Sequence, residues 1–174
     1  VHGNSAHADW WSFIAPYLAQ DYRVTSMSLA GMGASDWRES YAFQDFAEDA
    51  EAVARATGLY DGGVLPIYIG HSFGGSQVFF AAAAHPERMR AAVLVDTGFG
   101  GPPPDSPEAK RMQEQQVRNI PTGDRAARIY PTEEAALARF RFMPPQVAGN
   151  LFIADFIARR SLKRAPLPEG VRLR

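Results

Sequence analysis

One stretch of this chain constrains its fold more than any other. Residues 65–69 (LPIYI) form a short apolar run of the kind that a buried parallel strand shows. They lead into Gly70-His71-Ser72-Phe73-Gly74 and then into an alanine-rich segment, residues 73–84, stopped by His85-Pro86. A strand that ends in G-x-S-x-G and reopens at once as a helix must reverse within a residue or two. That turn strains the serine backbone and lifts Oγ clear of the sheet. It also crowds strand against helix two residues to either side, at Gly70 and Gly74, where only a missing Cβ gives relief. The Phe73 N–H then lies at the helix start, where the macrodipole adds partial positive charge.

The flanking sequence repeats the same alternation. Trp10, Phe13, Ile14, Tyr17 and Leu18 make the i, i+3, i+4 stripe of an amphipathic helix, with Pro16 set to kink or confine it. Residues 22–29 (YRVTSMSL) alternate and carry β-branched side chains, which predicts a strand closed by the turn Gly31-Met32-Gly33. Phe43, Phe46, Ala47, Ala50, Val53 and Ala54 form a second stripe, with Asp45, Glu48 and Asp49 near its start and Gly58 as a C-terminal cap. Residues 91–95 (AAVLV) predict another buried strand. Helix and strand thus alternate three times, which predicts a mostly parallel sheet with covering helices and right-handed crossovers.

After Gly100 the character changes. Pro102-Pro103-Pro104 breaks any regular element, and three helical patterns follow at about 107–119, 132–140 and 151–161, with no strand candidate among them. The expected division is an α/β core over residues 1–100 and a helical segment over residues 101–174, laid over the sheet like a cap.

Bulk properties exclude several classes. Eighteen basic residues against nineteen acidic ones give a net charge of −1, so no field of either sign would steer nucleic acid or an anionic membrane. The absence of cysteine excludes disulfides, thiolate metal sites and a cysteine nucleophile. No apolar run reaches the length of a membrane span. The chain opens on Val1-His2-Gly3 without a leader peptide, and a cytoplasmic protein is expected.

Taken in order, VHGNSAHADWW, LAGMGASDW, GHSFGG and LVDTG resemble the α/β-hydrolase superfamily, and RIYPTEEAALARFRFMPP is similar to a cap of its capped branch. The resemblance spans essentially the whole chain, and only the GHSFGG elbow is highly specific. It implies Ser72 as nucleophile, the Asn4 and Phe73 N–H groups as oxyanion donors, acyl-enzyme chemistry and no cofactor. Epoxide hydrolases and haloalkane dehalogenases of this fold carry Asp where Ser72 stands, so those activities are not expected. The LAGMG turn departs from the Arg-Gly-His-Gly type of relatives: Ala30 and Met32 replace polar residues in a loop that shapes the entrance.

A serine nucleophile needs a base, and in this fold the chain order is serine, acid, histidine. The four histidines are His2, His7, His71 and His85, and none follows residue 85. Asp96, at the end of the 91–95 strand, is a candidate acid or a residue that caps the turn before Gly98. His2 reads as a structural hydrogen-bonding residue. The expectation from these gaps is a segment lacking the strands before Val1 and the acid–histidine region after Arg174, inactive and poorly folded alone. Trp10, Phe99, Phe142 and Met143 are the expected lining of an apolar pocket. Such a pocket suits a small hydrophobic ester or lactone. Carbon–carbon bond hydrolysis of a diketone and a non-catalytic ligand-binding role are the alternatives. Two further motifs offer less. Gly31-Met32-Gly33-Ala34-Ser35-Asp36 begins like a dinucleotide loop but lacks its third glycine. His2, His7 and Asp9 match no standard metal-ligand spacing, and His7 and Asp9 read instead as the start of the first helix.

Overall fold

A computed structural model describes residues 1–98, 106–108, 110–111, 129–142, 145–164 and 171–173. At its centre two parallel strands, β1 (Ile67–His71) and β2 (Ala91–Val95), pair from Ile67↔Ala91 to His71↔Val95. Val1 lies along the other edge of β1, where its N donates to the Ile69 carbonyl at 2.6 Å and its carbonyl accepts from His71 N at 3.0 Å. Those two bonds continue the parallel ladder for one residue.

Helix α1 (Ala15–Leu18) is only a turn long and follows a separate 3₁₀ turn, Ala8–Trp11. The expected single amphipathic helix is therefore split. Pro16 stands in the first turn of α1, where its missing N–H costs nothing, so it starts a new helix instead of kinking a longer one. Helix α2 (Phe43–Ala56) buries Phe46, Ala50 and Ala54 at intervals of four. Its end is a Schellman motif: Gly58 N donates to the Arg55 carbonyl, Leu59 N donates to the Ala54 carbonyl, and Gly58 takes φ 72°. Helix α3 (Phe73–Ala84) packs on both strands and against α2.

Three expectations change. Residues 23–29 carry no helix or turn and form no ladder among the described residues. Between residues 22–27 and residues 64–69 lies a groove of about 620 Å³, so no neighbouring backbone reaches pairing distance. The strands are also less buried than their composition implies. Val93 and Val95 are each 43% exposed, because among the described residues β2 has β1 as its single neighbour. The later chain is not purely helical. Helices α4 (Glu133–Leu137) and α5 (Leu151–Arg160) occur where expected, but β3 (Ile129–Tyr130), β4 (Leu162–Arg164) and β5 (Val171–Leu173) form an antiparallel sheet in the order β3-β5-β4. These strands are two or three residues long, too short to show a period-two pattern. Most of the helix expected at 107–119 lies outside the described residues. Among the described residues, no helix is long and apolar enough to cross a membrane.

Candidate active site

The site is built at the carboxyl end of β1. Ser72 takes φ 51° and ψ −118°, a conformation an L-residue adopts only under strain. It is the N-cap of α3, and its own N–H donates to the Val95 carbonyl at 2.9 Å. The sharp turn accounts for the glycines. A Cβ on Gly70 would meet the Gly74 carbonyl oxygen and lie 2.6 Å from the Gly75 Cα. A Cβ on Gly74 would meet the carbonyl oxygens of His2 and Val1, and one on Gly75 would meet Thr97 Oγ1. Gly75 serves the same packing one position further on.

The His2-Gly3-Asn4-Ser5 segment sits against this elbow. A Cβ on Gly3 would lie 3.3 Å from Ser72 Cβ and 3.0 Å from His71 Nδ1, so the missing side chain lets this turn lie tightly against the elbow. Ala6 N donates to the Gly3 carbonyl at 3.2 Å, closing a turn in which Ser5 has φ 58° and Asn4 is exposed. Phe73 occupies the first helical position, among the N–H groups that project from a helix start. Both segments named as oxyanion donors therefore border Ser72.

His2 has a structural role here. It is 1% exposed; Leu29 N donates to its Nε2 at 2.9 Å, so the ring proton sits on Nδ1 and is donated to the Gly3 carbonyl at 2.7 Å. Burial drives its pKa down to about 4, so the ring is neutral at pH 7. One imidazole thereby ties the Gly3 turn to the extended segment at Leu29. His7 Nε2 lies 3.1 Å from Ser161 Oγ, and His85 Nδ1 lies 3.4 Å from Glu87 Oε1. No histidine hydrogen-bonds Ser72 among the described residues. His7 occupies the N-cap position of the Ala8–Trp11 turn without a side-chain capping bond, and Asp9 stands in its first turn, so both lie at the start of the first helical element as expected.

Asp96 follows β2 directly, beside the elbow, with φ 47° and an exposed side chain. Trp10 and Phe142 meet edge to face with ring centroids 5.8 Å apart, and Phe140 meets Phe142 at 5.3 Å. Phe99 and Met143 lie outside the described residues. The Gly31–Ser35 stretch is a run of turns with no helix before Phe43, so the helix N-terminus that a dinucleotide loop requires is not there. What sequence reasoning missed is the Gly3 contact with the elbow and the His7–Ser161 pair. Gly3 carried a signal, as a glycine beside a polar turn. The pair is 154 residues apart and had none.

Comparison with known proteins agrees with this fold. The lipase LipV of Mycobacterium tuberculosis is 33% identical over 97 residues, covering 55% of this chain and 35% of that protein. The bifunctional epoxide hydrolase 2 of Rattus norvegicus is 30% identical over 115 residues, covering 64% of this chain and 19% of that protein. Among solved structures, the hypothetical protein PA1622 of Pseudomonas aeruginosa PAO1 superimposes with a TM-score of 0.73 at 27% identity, covering 99% of this chain and 59% of that one. The chain thus spans about a third of the lipase's length and under two thirds of the solved structure's. The family model for the alpha/beta hydrolase fold matches residues 1–153. By that match and by the strained serine between β1 and α3, the chain belongs to the alpha/beta hydrolase fold family.

Proposed function

We propose that this chain carries the nucleophile and oxyanion donors of a serine hydrolase that opens a small hydrophobic ester or lactone through an acyl-enzyme. The observation that carries the reading is the strained backbone of Ser72 at the strand–helix junction. In the first half-reaction Ser72 Oγ bonds to the substrate carbonyl carbon, its proton passes to a base, and the carbonyl oxygen becomes an oxyanion facing the Asn4 and Phe73 N–H groups. Collapse breaks the C–O bond and the leaving alcohol takes the proton; water then repeats the sequence in reverse and frees the acid. Asp96 is the proposed acid, and residues 101–174 the proposed cap. Trp10 and Phe142, in edge contact, support an apolar wall for the acyl site. No cofactor enters this chemistry, and the partner is a small apolar molecule, with neither nucleic acid nor membrane.

The base is the open requirement. Because no histidine reaches Ser72 among the described residues, the 174-residue chain by itself is expected to show no turnover. A lipase among the relatives supports ester cleavage. Serine at position 72 argues against transfer of the epoxide-opening activity named for the other relative. The test is hydrolysis of 4-nitrophenyl esters by the natural full-length protein: activity lost at least 1,000-fold in Ser72→Ala supports the reading, and retained activity refutes it. The same missing histidine contact favours a second reading, a hydrolase-fold protein that binds an apolar ligand without chemistry. Tight ligand binding with no turnover in the natural protein would select it.

A further inference from the structure

We propose that His7 and Ser161 form a clasp that positions helix α5 against the oxyanion turn, and that they are positioning residues for apolar substrates; this rests on the hydrolase reading above. Both are almost fully buried, at 4% and 7% exposure, and come from opposite ends of the chain. Ser161 is the C-cap of α5. Its Oγ lies 2.8 Å from the Ile157 carbonyl oxygen and 3.1 Å from His7 Nε2, so the hydroxyl bridges the helix end and the ring, while His7 Nδ1 faces Asp9 Oδ2 at 3.6 Å.

His7 is locked in turn. The Gly3–Ala6 turn ends one residue before it, Ala8 N donates to Ser28 Oγ at 3.1 Å, and Trp10 N donates to the His7 carbonyl at 3.1 Å. A Cβ on Gly33 would sit 2.7 Å from His7 Cβ, so the LAGMG turn packs against the base of that side chain as well. Beyond the clasp the two elements meet through apolar side chains. Phe13 packs edge to face on Phe156 at 5.0 Å and on Phe152 at 6.2 Å. Such contacts tolerate sliding; a buried directional hydrogen bond does not. The clasp thus fixes α5, with its aromatic side chains, to the segment that follows Asn4. A long acyl chain is the substrate group expected to register that placement, and an acetyl group the one expected to register it least.

The experiment compares 4-nitrophenyl acetate and octanoate with the natural full-length protein and with His7→Leu, His7→Gln and Ser161→Ala. Leucine removes the ring nitrogens; glutamine restores a hydrogen-bonding group at similar reach; alanine removes the hydroxyl. Losing one buried hydrogen bond is expected to raise the octanoate KM about tenfold in His7→Leu and Ser161→Ala. Values for acetate should change less than about twofold, and His7→Gln should stay near wild type. An unchanged octanoate KM, or equal losses on both esters with no rescue by glutamine, would overturn the clasp. If His7→Leu fails to fold, Ser161→Ala carries the comparison. If the wild-type protein turns over neither ester, the hydrolase reading fails separately. Amide hydrogen exchange in α5 then decides the clasp: faster exchange in Ser161→Ala but not in His7→Gln supports it, and unchanged exchange overturns it.

Discussion

Ser72 is where stability and chemistry conflict most directly. Its φ of 51° and ψ of −118° cost about 1–3 kcal/mol for any residue with a Cβ. Glycine adopts that conformation freely, whereas alanine inherits the strain. Ser72→Gly is therefore expected to be about 1 kcal/mol more stable to urea than Ser72→Ala. Equal stabilities would mean that the turn relaxes. Gly74 makes the opposite case: its Cβ would collide with the carbonyl oxygens of His2 and Val1, which are backbone and cannot rotate away. Gly74→Ala is expected to cost about 3 kcal/mol or more by thermal melting, against under 1 kcal/mol for an unstrained surface glycine such as Gly149, whose added Cβ meets nothing.

Among the elements, those with strong local signals were legible in the sequence. Residues 73–84 and 91–95 are helix and strand with the bounds their composition predicts. The first central strand is shifted two residues from 65–69, because its bounds follow the ladders to Val1 and β2, which no single strand encodes. Residues 23–29 had a strand's pattern but no strand to pair with among the described residues. The β3-β5-β4 sheet was invisible, its strands being shorter than one repeat of any pattern. In the site, GHSFGG declared itself, whereas the His2 and His7 bonds depend on tertiary placement alone. Helix α5 shows a local device at work. Asn150 Oδ1 accepts from Phe152 N at 3.0 Å and Ile153 N at 3.2 Å, so Asn150→Ala is expected to cost about 1 kcal/mol. Amide exchange confined to residues 151–155 would check it.

The molecule as a whole is stitched by His2, which joins the turn at the elbow to Leu29, a residue with no exposure. Its pKa is about 4 folded against 6.5 unfolded, so the unfolded chain binds the extra proton. Stability from the neutral ring is complete above pH 6.5 and is lost as pH falls toward 4, by roughly 3 kcal/mol. A His2→Gln variant lacks this titration. The stability gap between wild type and His2→Gln should narrow from pH 7 to pH 4; a gap independent of pH would mean that His2 titrates normally.

The most direct measurement on the central claim is treatment of the natural full-length protein with a fluorophosphonate, followed by mass mapping of the labelled peptide. The reagent bonds only to an activated serine, so it reports base, nucleophile and oxyanion donors together. The account predicts one adduct, on Ser72, absent from Ser72→Ala. A folded protein that stays unlabelled, or carries the label on another serine, would contradict it.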